Sequence, residues 1–480
     1  MATPAPTPDQ PLRQAWRVFA LTSLAVFAVS LDATILFVAF PAIRDSFRGV
    51  SAAQLSWVLN AYTIVFGALL VPAGRIADRF GRRRIFLIGV GLFTLASALC
   101  GISPSAGALI ASRALQAAGA ALLMPSSLAL VLGVFPSSRR ASAVGLWAAV
   151  GALAAAAGPS LGSAVVQSLG WRWAFYLNLP VGVFAILRGR TVLSEARASE
   201  ETTLPDLLGI VLLIASVGLI ALGIVQFGSW GPMAAKTLAA LGGGLVLLAT
   251  FVARSRRAIA PAVDLTLFND RNYRIANLAM VVFGISFTAM FFMFVFFLTQ
   301  VWGYSLLKAG LAITPGPLTV IPVAIFAGRV ADARGHRLLL VIGGLVLALG
   351  GALMFASVRS APDFLLVWLP RALVTGVGVG LVLPSLSGAA VQGLPAARFA
   401  VGSAVTQAVR QLASVLGVAT VIALLGTRTG TSLLIGFEWI CTIVIAGGLL
   451  VAALCLRLER KPRFALEYGA QTSSAKLSRP

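Results

Sequence analysis

Acidic side chains are scarce in this sequence. Its 480 residues include 15 Asp and Glu, one histidine (His336) and three cysteines. Charged residues of both signs make up 11% of the chain, where a soluble domain carries about a quarter. Each shortage excludes something. Cys100, Cys441 and Cys455 lie in apolar stretches without disulfide or metal-ligand spacing. No grouping of His, Cys and carboxylates is available to build a metalloenzyme centre, and no cofactor motif is present. A catalytic cluster and a soluble output domain are both missing, which argues against an enzyme and against a membrane sensor.

What is abundant is apolar surface. Hydrophobic residues make up 59% of the chain and the mean hydropathy is +0.95. One core cannot hide that much apolar surface from water, so the chain requires a bilayer as its solvent. Lys and Arg number 37, giving a net charge of +22. In a soluble protein that excess would suggest a nucleic-acid partner. Here the charges are dispersed in short segments between apolar runs, with no basic and aromatic face, so no nucleic-acid partner is expected.

About 20 apolar residues cross a hydrocarbon core of roughly 30 Å. Fourteen such stretches lie near 16–41, 55–74, 85–103, 107–133, 141–165, 172–188, 207–226, 236–254, 275–299, 309–328, 338–357, 364–391, 400–425 and 433–456. They are read as helices, because lipid offers no partner to an open sheet edge. With the N-terminus in the cytoplasm, 27 basic residues fall on cytoplasmic segments, 7 on outer loops and 3 (Arg113, Arg371, Arg410) inside spans. This asymmetry follows the positive-inside rule and places both termini in the cytoplasm. The expected location is a bacterial-type inner membrane.

The chain also repeats itself. GRIADRFGRR at 74–83 recurs as GRVADARGHR at 328–337. Arg113-Ala114-Leu115 and Pro125-Ser126 recur as Arg371-Ala372-Leu373 and Pro384-Ser385. Two copies in one order imply two homologous halves. The offset exceeds what six helices need, and two extra spans account for it. The expected organisation is a disordered tail over 1–14, a six-helix bundle over 15–190 and a two-helix insert over 205–256. A second six-helix bundle over 270–457 and a cytoplasmic tail over 458–480 complete it.

The segments Gly74–Arg83, Arg113–Gly119, Gly158–Gly162, Ser30–Ile43 and Trp171–Pro180 together resemble motifs of the major facilitator superfamily and of its fourteen-helix drug:proton antiporter branch. Gly74-x-x-x-Asp78-Arg79-x-Gly81-Arg82-Arg83 looks like the signature loop between helices 2 and 3. Arg113-x-x-Gln116-x-x-Gly119 resembles the conserved arginine motif, and Gly158-Pro159-Ser160-Leu161-Gly162 resembles the antiporter motif of helix 5. Ser30 to Ile43 resembles the helix-1 motif of that branch, and Trp171 to Pro180 resembles its start of helix 6. The likeness covers residues 15–456. Ala117 and Ser163 stand where the motifs usually carry glycine, and His336 stands at a position usually more basic.

The residues also carry chemistry of their own. Asp32 and Glu438 are the two carboxylates clearly within spans. An ionised group at mid-bilayer costs about 2.5–3.5 kcal/mol on insertion scales, so such residues are functional hypotheses by default. Asp32 is read as the proton-coupling group; Glu438 is read as a residue that snorkels or pairs with Arg428. Arg113 lies at a depth compatible with Asp32, and Gln116 shares its helix face. Burial penalises the ionised carboxylate and a nearby arginine stabilises it. A motion that changes their separation would therefore switch whether Asp32 holds a proton.

Further readings follow. Asp78 and Asp332, with Gly74, Arg79, Gly81, Arg82 and Gly335, form paired loops expected to latch the cytoplasmic side. Asp78 is placed just before the third helix, where its charge suits a helix N-terminus. Gly158, Pro159 and Gly162 are read as a smooth, bent face that seals and opens. Seven phenylalanines crowd the ninth span. Phe287, Phe291 and Phe294 share a face that would suit a drug ring, yet phenylalanine covers every face, so most are expected to meet lipid. Arg371 and Arg410 are further candidates for the cavity wall.

The expected protein is an all-α membrane protein of about 14 helices, two pseudo-symmetric six-helix bundles plus a two-helix insert. The resemblance implies a monomeric exporter of amphipathic drugs, antibiotics or metabolites, exchanging them for protons by alternating access, with lipid as its surroundings. A proton-coupled importer or facilitator shares the fold and is the rival reading.

Overall fold

The computed structural model describes residues 10–459 apart from 137–138, 196–204, 232, 360, 396–397 and 426–429. It is all-helical among the described residues. The first bundle comprises α1 (Gln10–Ser46), α2 (Trp57–Phe80), α3 (Arg82–Gly101), α4 (Ala106–Val134), α5 (Arg140–Leu169) and α6 (Asn178–Val192). The insert is α7 (Leu207–Val225) and α8 (Ala235–Ser255). The second bundle comprises α9 (Arg271–Phe296), α10 (Pro315–Arg334), α11 (His336–Phe355), α12 (Leu369–Val391), α13 (Phe399–Leu425) and α14 (Gly430–Cys455).

Thirteen of these are individually long and apolar enough to span a membrane. The exception is α6, with 15 residues. A short helix, Arg172–Tyr176, precedes it across Leu177, and the pair together supplies the sixth crossing. An even number of crossings brings the described ends of the chain, Gln10 and Glu459, to one side. α1 begins at Gln10, so residues 10–14 are helical and the expected irregular tail is corrected there. The remainder of that tail and residues 460–480 lie outside the described residues.

The two bundles are built on one plan. In the first, α1 packs on α4, α5 and α6, α2 on α4, and α3 on α4 and α6. In the second, α9 packs on α12, α13 and α14, α10 on α12, and α11 on α12 and α14. The helix pairs correspond one to one. The bundles then meet reciprocally, α2 against α13 and α5 against α10. α7 lies on α2 and α13 at this seam, and α8 packs on α7.

The repeated loops are tighter than expected. α2 runs to Phe80 and α3 begins at Arg82, so only Gly81 separates them; Gly335 alone separates α10 from α11. Both glycines adopt positive φ (108° and 79°), which side chains rarely tolerate. Asp78 therefore lies in the last turn of α2 and not ahead of α3.

Between the bundles, ring contacts cluster on the side opposite the chain termini. Phe37 of α1 lies 5.8 Å from Phe291 and 5.3 Å from Phe292, and Phe40 lies 5.3 Å from Phe292 and 6.1 Å from Phe296. The Leu307 backbone N–H donates to Gln167 Oε1 across the same side at 2.8 Å. The expectation that most phenylalanines of this span meet lipid is overturned. Six of the seven are buried, and Phe287 is half-buried. α9 is covered by α12, α13, α14 and α1 together. An all-round apolar helix suits either lipid or a buried position, and packing decides for the latter here.

Candidate functional site

Asp32 lies on α1 and is 3% exposed; Arg113 on α4 is 1% exposed. Arg113 Nη1 donates to Asp32 Oδ2 at 2.6 Å. Gln116, one turn along α4, donates through Nε2 to Asp32 Oδ1 at 3.0 Å and to Ser97 Oγ at 2.8 Å. Its carbonyl accepts from Arg113 Nη1. Arg113 also donates from Nε to the Val58 carbonyl at 3.2 Å, and its guanidinium carbon lies 4.0 Å from the Tyr62 ring centroid and 5.7 Å from that of Phe175. Asn178 closes the cluster, donating to Asp32 Oδ1 at 3.0 Å and to Ser97 Oγ at 3.3 Å.

This is a closed polar network built by α1, α2, α3, α4 and α6 inside an apolar bundle. The Asp32 carboxylate accepts three hydrogen bonds from three side chains, one of them charged. Buried charge is tolerable only with such partners. The predicted trio of Asp32, Arg113 and Gln116 is brought together. Asn178, Ser97 and Tyr62 complete it and were not singled out from sequence. Asn178 carried a signal: an amide inside an apolar run, at the break after Leu177. Ser97 and Tyr62 carried none.

The helix-5 motif stands immediately behind this cluster. Gly158 and Gly162 lie so close to Thr34 and Ile35 that a Cβ on either would press into α1. Thr34 and Ile35 follow Asp32 within the next turn. The other face of the same helix turns to the second bundle. Gly310, in the short helix Leu306–Ile313 that leads into α10, leaves no room for a Cβ against the Pro159 carbonyl and the Ser163 hydroxyl. So the GPSLG segment touches the Asp32 helix with one face and the opposite bundle with the other.

The signature turn is organised differently from the sequence expectation. Asp78 Oδ1 accepts from Arg82 Nε at 3.0 Å and Nη2 at 2.9 Å, bridging the Gly81 break. The carboxylate at the α3 N-terminus is Glu195, just beyond α6. Its oxygens accept from the backbone N–H groups of Arg83 at 3.1 Å and Arg84 at 3.2 Å. These are the N2 and N3 donors that a helix start leaves free. A side chain on Gly81 would collide with this carboxylate. Arg83 Nη2 also donates to the Arg190 carbonyl at 2.6 Å, tying the turn to the end of α6. Arg79 stands over the Phe80 ring and Gly74 faces Pro125 of α4. The Asp332 side chain lies outside the described residues.

The remaining candidates separate. Phe287 stacks between Phe283 and Phe291, at 5.6 and 6.0 Å. Phe294 packs on Trp368 at 5.0 Å, inside the second bundle. Arg371, the repeat counterpart of Arg113, has no carboxylate partner among the described residues. Its guanidinium donates to the carbonyls of Leu353, Leu366 and Val367. Arg410 donates to Gln407 at 3.2 Å in the middle of α13. Glu438 pairs with Arg359 at 2.9 Å; Arg428, the partner expected from sequence, lies outside the described residues.

Comparison with known proteins agrees with this architecture. Residues 22–418 match the sequence profile of the Major Facilitator Superfamily. The tetracenomycin C resistance and export protein of Streptomyces glaucescens is 32% identical over 427 residues, 89% of this chain and 79% of that protein. The multidrug resistance protein Stp of Mycobacterium tuberculosis is 33% identical over 413 residues, 86% of this chain and 76% of that protein. A crystal structure of a D-xylose–proton symporter superposes with a TM-score of 0.66 at 13% identity, covering 92% of this chain and 97% of that one, which shows the shared fold. The chain is therefore a multi-pass membrane transporter, not an enzyme, and it belongs to the Major Facilitator Superfamily.

Proposed function

We propose that the protein exports amphipathic small molecules across a bacterial inner membrane in exchange for protons, by alternating access. The observation that carries this reading is the buried Asp32 network and its position directly beneath the helix-5 motif. Asp32 takes up and releases the proton, and Arg113, Gln116 and Asn178 hold its ionised form. The names of the related proteins, which concern antibiotic and multidrug resistance, support export as the direction.

The coupling is mechanical. α5 touches α1 beside Asp32 and touches Gly310 of the other bundle. Rocking of the bundles shifts α5, and α5 shifts the turn of α1 that holds the carboxylate. Protonation removes the charge that Arg113 neutralises and loosens this arrangement. In the second bundle Arg371 donates to backbone carbonyls and has no carboxylate partner among the described residues, so proton exchange is assigned to the first bundle. With both termini cytoplasmic, as the basic residues suggest, the aromatic contacts of Phe37 and Phe40 close the outer side and the substrate path opens inward. Phe287, Phe291 and Arg410 line that path, Asp78 with Arg82 and Glu195 latches the inner side, and the transporter acts as a monomer.

Everted membrane vesicles energised by respiration test the proposal. Substrate should accumulate inside them, and collapse of the proton gradient should release it. An importer would instead be driven in the opposite orientation, and a facilitator would show no accumulation.

A further inference from the structure

A cavity of about 760 Å3 opens on the side of the chain termini, away from the Asp32 network. Four arginines line it: Arg75 from the end of α2, Arg256 after α8, Arg274 from the start of α9 and Arg398 just before α13. They come from both bundles and the insert. Asp264 is the carboxylate among the lining residues. It is occupied locally, accepting from the Thr266 N–H at 3.0 Å and hydroxyl at 2.7 Å.

None of the four arginines is at ion-pair distance from a carboxylate among the described residues. Arg75 donates to the Pro261 carbonyl at 2.6 Å and Arg398 to the Thr266 hydroxyl at 3.1 Å. Arg256 and Arg274 have no side-chain partner there. The apolar lining is just as telling. Val252 belongs to a membrane-spanning helix, Phe268 is half-buried, and Ile259 is 95% exposed at the rim. An isoleucine so exposed, four residues beyond the end of a spanning helix, is at home in the lipid interface, not in water.

We infer that this cavity binds the phosphate group of an anionic ligand, with a phospholipid headgroup as the source its apolar rim favours. Basic pockets between membrane helices bind anionic headgroups by this combination of charge and apolar contact. The phosphodiester sits among Arg256, Arg274 and Arg398, and an acyl chain passes over Ile259. Because the four cations belong to the two bundles and the insert, occupancy ties the two bundles together on this side.

The test uses the full-length protein, purified in detergent and stripped of lipid, with binding followed by thermal shift and native mass spectrometry. The probes are phosphatidylglycerol, phosphatidylcholine and inorganic phosphate. Saturable binding of phosphatidylglycerol, with phosphatidylcholine inert, assigns the site to lipid. Saturable binding of inorganic phosphate alone assigns it to a soluble anion. In either case R256Q/R274Q should weaken binding about thirtyfold, at roughly a factor of five per basic residue near an anionic surface. R188Q/R457Q removes two exposed arginines elsewhere and should change binding less than twofold. Binding of neither phosphate probe above the phosphatidylcholine level overturns the assignment, as does wild-type affinity in R256Q/R274Q.

Discussion

Replacing Arg113 by methionine and Asp32 by asparagine, singly and together, tests whether the buried pair is energetically one unit. In Arg113→Met the Asp32 carboxylate keeps two neutral donors, Gln116 and Asn178, and loses its cation. Removing one partner of a buried ion pair costs about 3–5 kcal/mol, because the other charge is left uncompensated. In Asp32→Asn the guanidinium keeps Gln116, the Val58 carbonyl and the Tyr62 ring. That places its cost near the lower end of the same range. The double variant buries no charge at this position and loses mainly hydrogen bonds, a change that is often close to neutral. The two single costs sum to about 6–8 kcal/mol, and the double variant should cost far less. The double-mutant cycle should therefore show a coupling of at least about 3 kcal/mol, at or above the top of what contacting residues give. Equilibrium unfolding of the purified proteins from detergent measures it. Additivity within about 0.5 kcal/mol would refute the pairing.

Three further outcomes follow from the geometry. Asp78→Asn should lower transport at normal protein level: its Arg82 pair is partly exposed, and such pairs contribute only about 0–1 kcal/mol to stability, so wild-type flux would remove the latch role. Glu195→Gln should destabilise the α2–α3 turn by about 1–2 kcal/mol, since it weakens two charge-assisted bonds to the α3 N-terminus; an unchanged unfolding midpoint would show that this cap is unimportant. Gly158→Val should cost about 1–3 kcal/mol by overpacking against Thr34 and should stall transport, whereas Gly145→Ala, with open space around it, should do neither; equal behaviour of the two would argue against the close α5–α1 contact.

Much of this was legible in the sequence because lipid leaves so few choices. Long apolar runs must be helices, so the crossings and the two-fold repeat could be read directly. Asp32 and Arg113 stood out because charges inside such runs are expensive. Tertiary contacts between distant segments were not legible. Glu195 caps a helix by accepting from Arg83, 112 positions earlier, and nothing local marks it. Ser97 is an ordinary helical serine until Gln116 and Asn178 converge on it. The phenylalanines of α9 could not be assigned to lipid or protein, because an aromatic helix is compatible with both until its neighbours are known. The signature turn reads as a loop in sequence because its charges look solvent-bound, yet a single positive-φ glycine is enough to reverse the chain.

The central claim is that Asp32 exchanges the coupled proton, and substrate-induced proton release measures it most directly. Purified wild-type protein in weakly buffered detergent solution should release protons on addition of a transported compound, and Asp32→Asn, which keeps size and hydrogen bonding but cannot ionise, should release none. In everted vesicles the same variant should lose uphill accumulation while a neutral substrate still binds. Undiminished proton release and proton-dependent accumulation in Asp32→Asn would contradict the account.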